Sequence, residues 1–260
     1  MPTSSNPGSF ILGLIGGSGL YALPGFGPAE PFSVLTPFDA VPVTITAYNK
    51  GAVRVLFLPR HGTDHQVAPH NINYRANLWA LQKAGAQALV AVNTVGGISE
   101  PMQAGVLCLP DQIIDYTWGR TSTFSELDSL QVIHTDFTFP FDQYMREILL
   151  QGASAGGISL VSAGVYGCTQ GPRLETAAEI RRLARDGCDL VGMTGMPEAI
   201  LARELALPYA MLSLVVNSAA GLDGKALDLA AMHAVADTGI ARIQALLLQA
   251  ISILSMSRQT

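Results

Sequence analysis

Gly171-Pro172-Arg173-Leu174-Glu175-Thr176 is the first of three short polar loops that decide how this chain folds. Gly192-Met193-Thr194-Gly195-Met196-Pro197-Glu198 is the second, and Asn217-Ser218-Ala219 is the third. Each adjoins an apolar run short enough to be a buried strand: Leu160–Tyr166, Leu190-Val191 and Ala210–Val216. Thr176–Arg185 and Pro197–Leu205 read as helices, the second with proline at its first helical position. Strands that alternate with helices predict an α/β domain, and loops at the strand ends deliver polar side chains to one crevice.

The same alternation extends towards the N-terminus. Phe10–Ile15 predicts a buried strand that runs into Gly16-Gly17-Ser18-Gly19, where curled backbone can turn amides and the Ser18 hydroxyl towards one anion. Val43–Tyr48 and Val53–Leu58 predict a hairpin that ends in Pro59-Arg60-His61-Gly62. Arg60 offers a fork of donors to a phosphate, and His61 one more donor. Asn73–Ala84 predicts a helix, and Ala88–Val92 a strand that opens into a loop, Asn93-Thr94-Val95-Gly96-Gly97. Val106–Ile114 predicts another strand, Asp115–Gln131 a long loop that is either a lid or an interface arm, and 141–153 a helix. The last long element, Leu229–Leu254, predicts a helix with Ile240, Ile243, Leu246, Leu247 and Ala250 on one face. With no Pro/Ser linker or repeat, residues 10–260 predict a single domain with a mixed central β-sheet flanked by helices, after a disordered tail at 1–9.

Composition narrows the function. Hydrophobic residues make up 49% of the 260 and charged residues 13%, which predicts a large core and a buried subunit interface. A net charge of −5 excludes a broad nucleic-acid footprint. Residues 1–29 carry no charge, but glycines and prolines break the apolar run from Phe10 and no basic leader precedes it, so no membrane partner is expected. Three cysteines without CxxC spacing argue against a disulfide framework and a zinc site, and favour a reducing, cytoplasmic setting. His61, Asp64, His65 and His70 match no metal spacing, so no metal is expected. Gly17–Ala22 mimics a dinucleotide fingerprint, but Pro24 and Gly25 break the helix that it needs. Gly152-Ala153-Ser154-Ala155-Gly156 fits a nucleophile elbow, but follows a helix rather than a strand.

The remaining polar groups suit a purine nucleoside and phosphate. Glu175, acceptor only, suits a ring N1–H. Asn217 both donates and accepts, which suits N7 and O6 of a 6-oxopurine; a 6-amino purine wants an acid nearby, where this chain has Ser218 and Ala219. Asn217 would stabilise the departing base, while Arg60, Ser18, His61 and Thr194 would position the attacking phosphate. This chemistry requires no cofactor; inorganic phosphate is a co-substrate.

Taken together and in this order, the motifs at 16–19, 60–62, 93–97, 171–176 and 193–198 resemble the trimeric purine nucleoside phosphorylase and methylthioadenosine phosphorylase family over roughly residues 10–250. The resemblance implies a pentosyltransferase of purine salvage that works as a homotrimer. It implies phosphate contacts from Ser18, Arg60, His61, Thr94 and Thr194, and substrate contacts that include Val95 and Gly96. It places Met193 under the ribose, Leu174 against the base in place of the family's usual Phe, and His134 at a neighbour's 5′ pocket. Asn217 and Ala219 stand where methylthioadenosine phosphorylases carry two acids. Met232 stands where ordinary purine nucleoside phosphorylases have a histidine for the 5′-hydroxyl, with His233 next to it. A thioether there makes an apolar 5′ pocket suited to a methylthio group. Within the family, the chain looks most like the bacterial branch acting on S-methyl-5′-thioinosine. Inosine, guanosine or methylthioadenosine are the alternatives within the family. Leu58-Pro59-Arg60-His61-Gly62 also resembles the nucleophile motif of histidine phosphatases, the rival from another class.

Overall fold

The computed structural model describes residues 9–125, 134–224, 226 and 228–257. The expected disordered tail, apart from Ser9, and the end of the 115–131 loop lie outside them. The elements run β1 (Phe10–Gly16), β2 (Glu30–Thr36), β3 (Asp39–Lys50), β4 (Val53–Pro59), α1 (Tyr74–Lys83), β5 (Ala88–Gly97), β6 (Leu107–Cys108), β7 (Gln112–Asp115), α2 (Gln143–Ala155), β8 (Val165–Cys168), α3 (Ala177–Arg185), β9 (Leu190–Gly192), α4 (Gly195–Glu204), β10 (Tyr209–Ser218) and α5 (Leu229–Met256).

These strands form one mixed sheet in the order β2-β3-β4-β1-β5-β9-β8-β7, with β10 paired to β5 and β6. β4, β1, β5 and β10 run parallel, so their C-terminal ends share one edge. Loops leaving that edge meet over it, the arrangement in which open α/β sheets bind ligands. Alternation along β4 shows how the layers form: Val53, Val55 and Phe57 join the core shared with α2 and α5, whereas Leu56 and Leu58 join the one shared with α1 and α4. Helix starts follow local chemistry. Asn73, Asp142 and Asp228 accept from first-turn amides, and Thr176 and Glu179 close a capping box. α5 is long and apolar enough to cross a membrane, but its Ile243, Leu246, Leu247 and Ala250 are buried in the core.

Several expectations need correction. β2 is missing from the sequence reading because Pro31 and exposed alternate residues disguise an edge strand. Asn93–Gly97 is not a loop but the continuation of β5, held by pairing to β10 and, at Gly96 and Gly97, to β9. Gly97 is obligatory there, since a side chain would run into the Met102 carbonyl. Val106–Ile114 is two short strands, β6 and β7, with Pro110 between them. The strand expected at Leu160–Tyr166 starts only at Val165, preceded by a single bridge at Val161. Asn217 and Ser218 end β10 rather than follow it. Met196 has non-helical angles (φ −118°, ψ 140°), so the regular turn of α4 restarts at Pro197, as its N1 preference requires.

Candidate active site

A cavity of about 410 Å³ opens where the strand ends converge. Ser18 follows β1, Arg60 and His61 follow β4, and Asn93, Thr94, Val95 and Gly96 belong to the end of β5. Leu174 and Glu175 come from the loop before α3, Met193 and Thr194 from the β9 exit, Asn217 from the end of β10, Ala219 from just beyond it, and Met232 from α5. Two predicted residues are not brought in. Ser218 is off the lining and uses its carbonyl to accept from Asn217 Nδ2 at 2.6 Å. His134 is exposed and away from this cavity in its own chain.

The end of the cavity formed by Gly17, Ser18, Arg60 and His61, where phosphate is expected, is built more tightly than the sequence suggests. Gly17 must be glycine because a Cβ would sit 2.6 Å from the Val92 carbonyl and 2.8 Å from Arg60 Nη1. The Arg60 fork is not free, which corrects the first expectation for it. Nε and Nη2 donate to the two oxygens of Glu198 at 3.0 and 2.9 Å, and Nη1 donates to the Val92 carbonyl at 2.6 Å. Both side chains of this pair are 1% exposed. Burial alone would lower the Arg60 pKa, but the Glu198 charge and hydrogen bonds outweigh it and hold it above the ordinary value. Tyr209 also donates to Glu198, at 2.9 Å. A paired guanidinium contributes no net charge, so an anion here depends on its remaining N–H groups, backbone amides and hydroxyls.

His61 is corrected likewise. Its Nδ1 lies 2.8 Å from the Val67 carbonyl, which can only accept, so Nδ1 carries the proton. Burial pushes the ring pKa down to about 4, with Arg60 and His65 adding to the shift against the Val67 bond. The ring is neutral at pH 7 and Nε2 is an acceptor, suited to a phosphate O–H rather than to an anionic oxygen. A histidine held neutral in the fold binds its proton more readily when unfolded. Its contribution is therefore complete above pH 6.5 and lost as pH falls towards about 4, on the order of 3 kcal/mol at most. His61→Gln should lose correspondingly less stability between pH 7 and pH 4.5 in urea unfolding. Parallel losses in the two proteins would contradict the neutral-ring assignment.

At the end where a base is expected, Glu175 Oε1 accepts from Thr169 Oγ1 at 2.6 Å. Asn217 owes its direction to a bulge: β10 gains one residue against β5 between Val215 and Asn217. Its bond to the Ser218 carbonyl fixes the amide plane, leaving Oδ1 and the second N–H for a ligand. Met232 lines the cavity, while His233 is exposed and does not.

The Phosphorylase superfamily model matches residues 12–252. The chain belongs to that family. It is 46% identical over 242 residues (93% of this chain and 98% of the relative) to a probable S-methyl-5′-thioinosine phosphorylase of Pseudomonas syringae pv. tomato. A 6-oxopurine nucleoside phosphorylase of Pyrococcus furiosus is 43% identical over 83% of this chain and 82% of its own length. Among solved structures, methylthioadenosine phosphorylase from Schistosoma mansoni in complex with adenine superposes with a TM-score of 0.88 at 30% identity, covering 95% of this chain and 92% of that one. The chain is thus a pentosyltransferase of the purine nucleoside phosphorylase type, and the histidine phosphatase reading of residues 58–62 is set aside.

Sequence reasoning missed several members of the site. Glu198 stood inside a quoted motif, but only the fold shows that it meets Arg60. Asn93 is buried, lines the cavity and accepts from Ser213. His65 lines the cavity with its ring centroid 4.7 Å from that of His61.

Proposed function

We propose that this protein cleaves S-methyl-5′-thioinosine with inorganic phosphate, giving hypoxanthine and 5-methylthioribose 1-phosphate. The observation that carries the substrate assignment is Met232 in the cavity with His233 outside it. A thioether beside the sugar 5′ position favours a methylthio group, whereas a hydroxyl would lack a hydrogen-bond partner from it. Asn217 without an acid at Ala219 supports a 6-oxopurine.

In the reaction, the C1′–N9 bond breaks and its electron pair leaves with the base, which takes up a proton from water to become hypoxanthine, while the phosphate that joins C1′ gives up its own proton to solvent. The Asn217 N–H stabilises that charge at N7/O6, and Glu175 accepts from N1–H. A phosphate oxygen bonds to C1′ from the opposite face, held by Ser18, Thr94, Thr194 and the spare Arg60 donors, with His61 Nε2 accepting a hydrogen bond from the phosphate O–H. Met193 supports the sugar, Leu174 packs on the base, and Val95 and Gly96 complete the wall. Neither metal nor organic cofactor takes part. We read the working form as a cytoplasmic homotrimer, in which His134 serves a neighbour's 5′ pocket.

Base release from methylthioinosine, inosine and methylthioadenosine, each with and without phosphate, tests this reading. The expected result is phosphate-dependent hypoxanthine release, fastest from methylthioinosine. Faster release from inosine would remove the Met232 argument, and dominant adenine release would remove the Asn217 argument.

A further inference from the structure

Arg120 is half-buried and belongs to the 115–125 segment, outside the strands that carry the phosphate end. Its guanidinium reaches two different walls of the cavity. Nη1 donates to the Met193 and Met196 carbonyls at 2.8 and 2.6 Å, and to the Tyr74 hydroxyl at 3.2 Å. Nη2 donates to the Gln170 carbonyl at 2.7 Å and, at 3.4 Å, to that of Thr169. Nε donates to Gln170 Oε1 at 3.2 Å.

Two of the anchored residues connect to the ligand space. Met193 itself lines the cavity. Thr169 holds Glu175 by its hydroxyl and donates its amide to the Gly192 carbonyl at 2.8 Å. One planar cation thus clasps the loop bearing the base acceptor to the loop bearing the sugar support. A lysine, with one point of charge, cannot span both walls in this way.

We propose that Arg120 is a positioning residue for the nucleoside: it sets the separation of Glu175 and Met193, and so the fit of base and sugar. The proposal rests on the nucleoside phosphorolysis reading above. Ser18 and Arg60 follow β1 and β4 and Thr94 lies on β5, so of the phosphate contacts only Thr194, between the clasped Met193 and Met196, should feel its loss, and the phosphate half as a whole far less. Misplacing reacting groups by about 1 Å can cost on the order of a hundredfold.

Steady-state kinetics of full-length Arg120→Ala, Arg120→Lys and Gln170→Leu, varying nucleoside and phosphate separately, test it. For Arg120→Ala, kcat/KM for nucleoside should fall by about a hundredfold, while the phosphate KM changes by less than about threefold. Arg120→Lys should recover part of that loss. Gln170→Leu keeps the carbonyl clasps, and should shift nucleoside KM by a few-fold without unfolding the chain. Nucleoside and phosphate KM rising in equal proportion would overturn the proposal, as would an unchanged nucleoside kcat/KM. If Arg120→Ala does not fold, Arg120→Lys and Gln170→Leu decide: unaltered nucleoside KM in both overturns it. A parent protein that releases no base would instead overturn the phosphorolysis reading.

Discussion

Glu198→Ala is expected to destabilise the protein by about 3–5 kcal/mol, because it strands a buried cation. Glu198 supplies both acceptors for Nε and Nη2 of Arg60, and neither side chain sees solvent beyond 1%. Without it, Arg60 keeps the Val92 carbonyl as its partner and Tyr209 loses its acceptor. For a chain of this size, that cost corresponds to a fall of roughly 10 °C in the thermal midpoint. Calorimetry of parent and variant measures it directly. Glu198→Gln then separates charge from shape, since it keeps the volume but turns one acceptor into a donor facing the guanidinium. Phosphate KM should rise by about tenfold or more in that variant while the nucleoside KM holds, because in the proposed reaction the displaced guanidinium holds the phosphate. An unchanged midpoint for Glu198→Ala, with phosphate KM unchanged for Glu198→Gln, would show that Arg60 does not need this partner.

The Arg60–Glu198 pair also marks the boundary of what the residues alone disclose. Features fixed by neighbours in the chain were legible: the apolar runs of β1 and β10, the helix starts near Asn73 and Thr176, proline at the start of α4, and the glycines that close β1. Most residues expected at the site do meet in the cavity, since parallel strands send their C-terminal loops to one edge. What was illegible depends on distant partners. Glu198 lies 138 residues from Arg60, and no local pattern announces that it claims the guanidinium. The protonated nitrogen of His61 is set by a carbonyl six residues on, at Val67. Asn93–Gly97 reads as a loop by composition and becomes strand only through β9 and β10. Arg120 looks like one more charge in a Thr/Ser-rich segment until its carbonyl partners are seen.

Asn217→Asp should change which base the protein releases. The bulge in β10 aims this side chain into the cavity, and its bond to the Ser218 carbonyl fixes the amide. A 6-oxopurine leaving group gathers negative charge at N7 and O6, where the amide N–H stabilises it in the proposed reaction. A carboxylate at the same position loses the Ser218 bond and sets like charge against the departing base. Loss of one such donor costs on the order of 10²–10³ in kcat. A 6-amino purine meets the carboxylate differently, because its exocyclic N–H has an acceptor there. Hypoxanthine release from methylthioinosine should therefore collapse, while adenine release from methylthioadenosine falls less or rises. The ratio of the two rates, measured at saturating phosphate, is the decisive quantity because a general loss of folded protein cancels from it. A ratio equal to the parent's would place the base away from Asn217; a shift of about a hundredfold towards adenine would make this one amide the principal determinant of base choice.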